Sequence, residues 1–599
     1  MKNNCSRLPI NCVRQASTYL PTDMPIRFAL AILLIFPVTG GAGELAETRT
    51  LDAAFLLSDR DLVEPVSMGE FSVSTGSSDP VNEFSGSLRL SASPQTAHID
   101  VIRDYFDRMA VSGDSIRQLP EFDFRFVQRG EDLVPLERGV QRREHPYWEI
   151  ILQPGKVWNE PGDEAWTRAA IPFALQERNA SCTHNGVFTW LFDAAGRVSR
   201  VAYQVSSETC PYFKFNLWGI VPAAFERRDL TAEAAAAIQR LDRHRQSRLP
   251  VRPVAQLADD YPGVEPQRFG VDEGVKPEDT TVLGMVVDGV HYRSDCGTRH
   301  GPHPYCNSLP LPSYSTAKSI FAGIALMRLE KLHPGFSMTP ISALIDECAS
   351  RKWRGVTIAD ALNMATGLYD SAVFNADEDA SPQVQFIFSD SHEEKLDFAC
   401  NHYKRKSKPG RKWVYHTSDT YLVGVAMANA IADDQDSDAD LYDILLDPIW
   451  RNLDLSPLLD DTKRTYDDYA QPFTGYGLTF ESDDIVRIAR WLNEDGGRID
   501  NEVVLDKDML AAAMQRATNG RVLEAGSPDL RYRHGFWAFN ASEILGCKKD
   551  AWVPFMSGFG GITVAMFPNG IIYYYFSDGY IHRWRSAIVA SNQIRRLCS

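Results

Sequence analysis

Residues 312–332 read PSYSTAKSIFAGIALMRLEKL. A proline and a cluster of hydroxyls precede a lysine, and an apolar-rich pattern of helical period follows, which predicts a helix over 315–332. Two readings fit. In one, Ser315 caps the helix and Lys318 lies on a wet face. In the other, Ser315 is a nucleophile and Lys318, one turn on and on the same side, handles its proton. A Ser followed three residues later by a Lys is common at ordinary composition. The rest of the chain has to choose.

Outward from this stretch, TTVLGMVVDGVHYRSDC (280–296) reads as two strands joined at a DG turn. Helical segments follow: TIADALNMATGL with Thr357 as cap, TSDTYLVGVAMANAIA, and ESDDIVRIARWLNEDGG, where Ser482 precedes an acidic first turn. The chain closes with strands (GFWAFN, ITVAMFP, IIYYYFSD) and a helix, SAIVASNQIRRL. Strands at both ends with helices between predict one α+β unit over 275–599, its sheet completed by the C-terminus.

The first half differs. Residues 45–248 form a mostly β domain in this reading, with strand-like pieces such as GSLRLSAS, FDFRFVQ and YWEIILQ, and a hairpin through DAAGR. A helix over 231–248, with Thr231 as cap, ends it, and a Pro- and acid-rich linker spans 249–274. Residues 1–44 read as a signal sequence with an N-terminal extension: MPIRFALAILLIFPVTGGAGELA, starting at Met24, has a positive start, a short apolar run and small residues after it. No other apolar run approaches the ~20 residues of a membrane span. The expectation is an exported, periplasmic or secreted protein with no transmembrane segment in its mature chain.

Composition narrows the partners. The chain has 599 residues, 44% hydrophobic and 24% charged, with a formal charge of -17. A phosphate backbone needs a concentrated basic surface, and the sequence has none, so nucleic acid is not expected as a partner. The basic run YKRKSKPGRKW (403–413) reads as a solvated loop. Beyond Cys5 and Cys12 of the extension, eight cysteines remain, an even number that reads as disulfides in an exported chain. Proximity favours Cys182 with Cys210 and Cys296 with Cys306; Cys348, Cys400, Cys547 and Cys598 stay unassigned. The cluster His291, Cys296, His300, His303 and Cys306 invites a zinc site, but a disulfide across that loop is the preferred reading, with no metal and no cofactor.

Five stretches of the second half, in order, resemble the serine β-lactamase and penicillin-recognising hydrolase superfamily, closest to its class C β-lactamase and esterase branch, over about 275–599. YSTAKSIFAGIALMRLEKL resembles the Ser-x-x-Lys helix, and VTIADALNMATGL the capped helix that follows it. PGRKWVYHTSDTYLVGVAM resembles the Tyr-x-Asn region. TGYGLTFESDDIVRIARWLNEDGG and RHGFWAFN match the later scaffold, and MSGFGGITVAMFPNGIIYYYFSDG the strand carrying Lys-Thr-Gly or His-x-Gly. The resemblance implies a β-lactamase-like α+β fold, an antiparallel sheet with flanking helices and a helical subdomain, preceded here by the β domain.

It also implies roles: Ser315 as nucleophile, Lys318 as adjacent amine, Tyr415 as the phenol of the proton relay, and the amides of Ser315 and Phe559 as oxyanion donors. Thr417, Met556, Ser557 and Gly558 fall at substrate-binding positions. Two depart from the pattern. Thr417 stands where the family has Asn, and Met556 where it has a cation or His, which turns the expectation from β-lactams towards an ester or amide, small or peptide-like. His416 reads as a pocket-wall or solvent residue, and Asp419 as a helix cap. A cell-wall DD-peptidase or β-lactamase, and a non-catalytic binding scaffold, are the competing functions. Oligomeric state and substrate are open; loops within 370–412 are expected to shape the pocket.

Overall fold

Strand Ile572–Ser577 sits centrally in one of two large sheets, and its side chains alternate between two cores. Ile572, Tyr574 and Phe576 enter the core that also holds the helix Ile324–Leu332, while Tyr573 and Tyr575 face the C-terminal helix Arg585–Ile594. This is the period-two geometry of a strand buried on both faces. The computed structural model describes residues 49–91, 97–434, 440–517 and 522–598. The expected signal sequence and extension, with Met24, Cys5 and Cys12, lie outside the described residues.

Among the described residues this sheet has nine strands, in spatial order Val251–Pro253, Val290–Arg293, Thr280–Val287, Ile572–Ser577, Ile562–Met566, Trp552–Gly558, Phe536–Asn540, Leu530–Arg533 and Leu523–Glu524. Neighbours are antiparallel except at the first pair, which is parallel. Helices between residues 324 and 513 cover one face, with Ser482–Asn493 against the central strands. Gly284 is needed where it stands: a Cβ there would lie 2.8 Å from the ring of Tyr574, whose hydroxyl meets His291 Nε2 at 2.8 Å.

Among the described residues the first half forms a twelve-stranded antiparallel sheet between Ser85 and Arg227. Its long strands Thr167–Glu177 and Thr183–Phe192 are buried along their whole length. Phe188, Trp190 and Phe192 point into the sheet's main core, while Val187 and Leu191 meet Leu51, Phe55 and Met68 of the preceding segment. Segment 49–71 thus covers the second face. The DAAGR hairpin forms, its turn held by Asp193 Oδ1, which accepts from the amides of Ala195 and Arg197. Helix Thr231–Ser247 starts at Leu230 rather than with a Thr231 cap; Thr231 is its first helical residue, and its amide donates to Asp229.

The described residues belong to one compact unit, 49–599. Polar contacts join the two sheets' elements: Lys463 Nζ reaches Glu149 at 2.8 Å, Lys214 Nζ reaches Asp279 and Asp578 at 2.6 Å each, and Ser181 Oγ donates to the carbonyl of Tyr476 at 2.7 Å. Buried charges retained this way carry directional contacts, so they fix how the elements meet. Four disulfides join Cys182–Cys210, Cys296–Cys306, Cys348–Cys400 and Cys547–Cys598. The first two are those expected, and Cys296 and Cys306 therefore offer no thiolate to a metal. Among the described residues no helix is long and apolar enough to cross a membrane.

Candidate active site

The stretch 312–332 is helical but not uniformly so. Tyr314–Thr316 is a 3-10 turn, Lys318–Gly323 a π segment and Ile324–Leu332 an α-helix. Tyr314, just before Ser315, has φ 41°, a left-handed conformation that costs a non-glycine residue on the order of 1–3 kcal/mol. Its ring is buried and its hydroxyl donates to the carbonyl of Thr209 at 3.4 Å, so the first sheet helps hold this turn. Such irregularity concentrates where a side chain must be aimed. Ser315, next in sequence, is half-buried.

Lys318 is buried, and its ammonium donates to Ser315 Oγ at 2.8 Å, Thr417 Oγ1 at 2.9 Å and the Gly475 carbonyl at 3.3 Å. Burial lowers its pKa to about 8, and the carboxylate of Glu378 opposes that fall. Tyr415 is brought to the same place: Lys318 Nζ lies 5.0 Å from the centre of its ring, and its hydroxyl interacts with Ser315. Burial raises this phenol well above its ordinary pKa. The phenol therefore keeps its proton near neutral pH while the amine gives its own up more readily.

Thr417, at the position where the resembled pattern has Asn, links Lys318 to a carboxylate. Its amide donates to Glu378 Oε2 at 2.8 Å and its hydroxyl to Glu378 Oε1. Glu378 was not among the expected site residues. It lies in the acidic run NADEDA (375–380), within the 370–412 stretch expected to shape the pocket.

The neighbouring Asp377 explains why the loop turns inward. Its carboxylate accepts from the amides of Asp370 and Ser371 at 2.8 and 2.7 Å and meets His416 Nε2 at 3.0 Å. Burial alone would neutralise His416, but the hydrogen bond to Asp377 and the nearby carboxylate of Asp419 win, and its pKa is raised to about 9. His416 is thus fully buried and stacked on Tyr403, with ring centroids 4.1 Å apart, rather than a solvent residue. Asp419, expected as a cap, instead faces His416 Nδ1 at 3.5 Å and accepts from the Thr366 hydroxyl at 3.4 Å.

The third motif lies on strand Trp552–Gly558. Met556 is buried in the large apolar core and offers no polar atom suited to a substrate. Ser557 is half-buried, and its hydroxyl lies 3.4 Å from Nδ1 of His582, an exposed residue that the motif reading did not include. Gly558 packs against the turn that leads into Ser315: a Cβ there would lie 3.0 Å from the Ser313 carbonyl and 3.2 Å from Tyr314 Cβ. Phe559 follows at the hairpin turn, its ring 5.8 Å from that of Tyr314. Ser315, Lys318, Tyr415 and Thr417 are therefore brought together, with Gly558 and Phe559 beside the Ser315 turn.

Residues 284–579 match the family model described as Beta-lactamase. Two solved structures are similar in part. One, described as a putative 6-aminohexanoate-dimer hydrolase from Bacillus anthracis, is 16% identical with a TM-score of 0.39, over 57% of this chain and 80% of that one. The other, EstCE1, described as a hydrolase with promiscuous acyltransferase activity, is 14% identical with a TM-score of 0.41, over 60% of this chain and 99% of that one. No curated protein sequence matches the chain.

Proposed function

We propose, for a chain whose residues 284–579 match the Beta-lactamase family model, that it is a serine hydrolase cleaving an ester or amide through an acyl-enzyme on Ser315. One observation carries this reading: a buried amine with its pKa lowered to about 8 sits 2.8 Å from a half-buried serine hydroxyl. An ordinary lysine, protonated to about pH 10.4, is no base near neutrality; this one has an appreciable neutral fraction there.

In the proposed cycle neutral Lys318 takes the Ser315 proton as Oγ attacks the carbonyl carbon. The oxyanion is held by the backbone amides of Ser315 and Phe559. The proton then passes to the leaving group by way of the Tyr415 hydroxyl, and the carbon–leaving-group bond breaks. Water attacks the acyl-enzyme, gives a proton to Lys318, and Ser315 recovers its own. Glu378 positions Thr417 and, through it, the lysine. The apolar Met556 at the third motif supplies no cation for a substrate carboxylate, which favours an uncharged ester or amide over a β-lactam or a cell-wall peptide. Export accords with the four disulfides and with the apolar run near the N-terminus.

The test is steady-state turnover of p-nitrophenyl acetate and of a fluorescent penicillin by the same preparation. Ester hydrolysis with little or no penicillin turnover is expected. Rapid penicillin hydrolysis would replace the substrate class, and inertness towards both would favour a binding scaffold.

A further inference from the structure

Beside the Ser315 turn, aromatic rings from both halves of the chain form a continuous patch. Tyr314 meets Phe559 at 5.8 Å between centroids, Phe559 meets Tyr212 at 6.5 Å and Tyr580 at 5.4 Å, and Tyr212 meets Phe106 at 5.1 Å. The inner members are anchored by their hydroxyls, Tyr314 on the Thr209 carbonyl and Tyr212 on the Glu177 carboxylate. The outer members are left to solvent: Phe559 is 41% exposed, Tyr580 44% and Phe106 45%. Three large rings exposed together and continuous with a buried base mark a ligand surface better than isolated exposed residues do.

The patch is rigidly built. The Tyr580 amide donates to the Gly560 carbonyl at 2.8 Å, and a Cβ on Gly560 would lie 3.0 Å from Pro211. The first sheet's Pro211 is therefore seated directly against the hairpin turn that carries Phe559. The nearby cations are paired with carboxylates, which leaves no free charge for an ion: Arg103 with Asp279 at 3.5 Å, and Arg108, whose guanidinium lies over the rings of Phe106 and Tyr212 at 5.6 and 5.7 Å, with Glu177 at 3.3 Å. Around Tyr580 the charge of Arg103 is opposed by those of Asp578 and Asp379, so charges of both signs face it.

The patch is also separate from the rings around Tyr415. A leaving group has to lie near Tyr415, which delivers its proton. Tyr415 has its own aromatic neighbours, Trp413 at 6.1 Å, Trp537 at 5.8 Å and Tyr532 at 6.3 Å. The Phe559 patch shares none of them, so it is left for the acyl side of the scissile bond.

We propose that Phe106, Tyr212, Phe559 and Tyr580 form the binding surface for an uncharged, medium-length apolar acyl chain, and that the N-terminal β half is thereby part of the substrate site. This rests on the acyl-enzyme reading for which side of the substrate it holds, but not for the existence of the surface.

The experiment has two arms. In the first, kcat/KM is measured for p-nitrophenyl octanoate and p-nitrophenyl acetate with the wild type and with Phe106→Ala, an exposed position whose truncation leaves the core intact. The octanoate-to-acetate ratio is expected to fall about five- to tenfold in the variant, because a methylene chain no longer has that ring to lie against. In the second, octanamide binding to Ser315→Ala is followed by calorimetry, with and without Phe106→Ala, and is expected to weaken by a similar factor. If the ratio and the binding are both indifferent to Phe106, the inference is overturned while Ser315-dependent turnover stands. If neither ester is turned over but octanamide binding still depends on Phe106, the surface stands and the acyl-enzyme reading falls.

Discussion

Glu378 holds Thr417 at two points, accepting from its backbone amide at 2.8 Å and from its hydroxyl, while Thr417 in turn accepts from Lys318 at 2.9 Å. The carboxylate therefore sits one hydroxyl away from the amine. Its charge favours the protonated lysine, against the burial that disfavours it.

Removing that charge should make Lys318 easier to deprotonate. In Glu378→Gln the acidic limb of the kcat/KM profile, expected near pH 8 for the wild type from the lysine's pKa of about 8, is predicted to move to lower pH. The plateau should fall by about tenfold as Thr417 loses a charged acceptor. A limb that stays in place or moves up would show that Glu378 does not act on the lysine.

His416 couples stability to pH. Its folded pKa of about 9 lies above the ordinary 6.5, because Asp377 and Asp419 outweigh burial. The stabilisation is complete below about pH 6.5 and is lost as pH rises through about 9, on the order of 3 kcal/mol across that window. Urea denaturation of the wild type and His416→Gln should therefore give a stability gap that is larger at pH 6 than at pH 9.5. A gap independent of pH contradicts the charged imidazolium.

The Cys348–Cys400 bridge spans a sequence separation of 52, and Trp353 Nε1 donates to the Cys400 carbonyl at 2.8 Å. Replacing both cysteines by alanine is predicted to lower stability by about 2–4 kcal/mol, chiefly by freeing the unfolded chain. Urea midpoints without reductant measure it; a loss below about 0.5 kcal/mol would mean that the surrounding core already fixes the loop.

What could be read from the sequence follows the range over which each feature is encoded. Strands such as Ile572–Ser577 and the Thr357 cap declare themselves locally, and the cap forms as a reciprocal box with Asp360. That Ser315, Lys318 and Tyr415 lie close together was legible because a known order of motifs brings distant segments together. Glu378 was not, because an acidic loop looks solvated until Asp377 is seen to bind the buried His416. Met556 occupies a motif position but lies in the core, a matter of packing that the motif does not contain. Thr231 and Asp419 had suitable chemistry for caps, but Leu230 begins the first helix and His416 engages the second carboxylate. The burial of Thr183–Phe192 on both faces depends on segment 49–71, which carries no strand-like pattern to announce it.

The central claim is that Ser315 becomes acylated with Lys318 as its base. Acid-quenched mixtures of the protein with p-nitrophenyl acetate, digested and mapped by mass spectrometry, test it directly. An acetyl group on the peptide containing Ser315, accumulating faster above pH 8 than at pH 6 and absent from Ser315→Ala, is the predicted result. Ester turnover with no adduct at Ser315, or an adduct that persists on another residue in Ser315→Ala, would contradict the account.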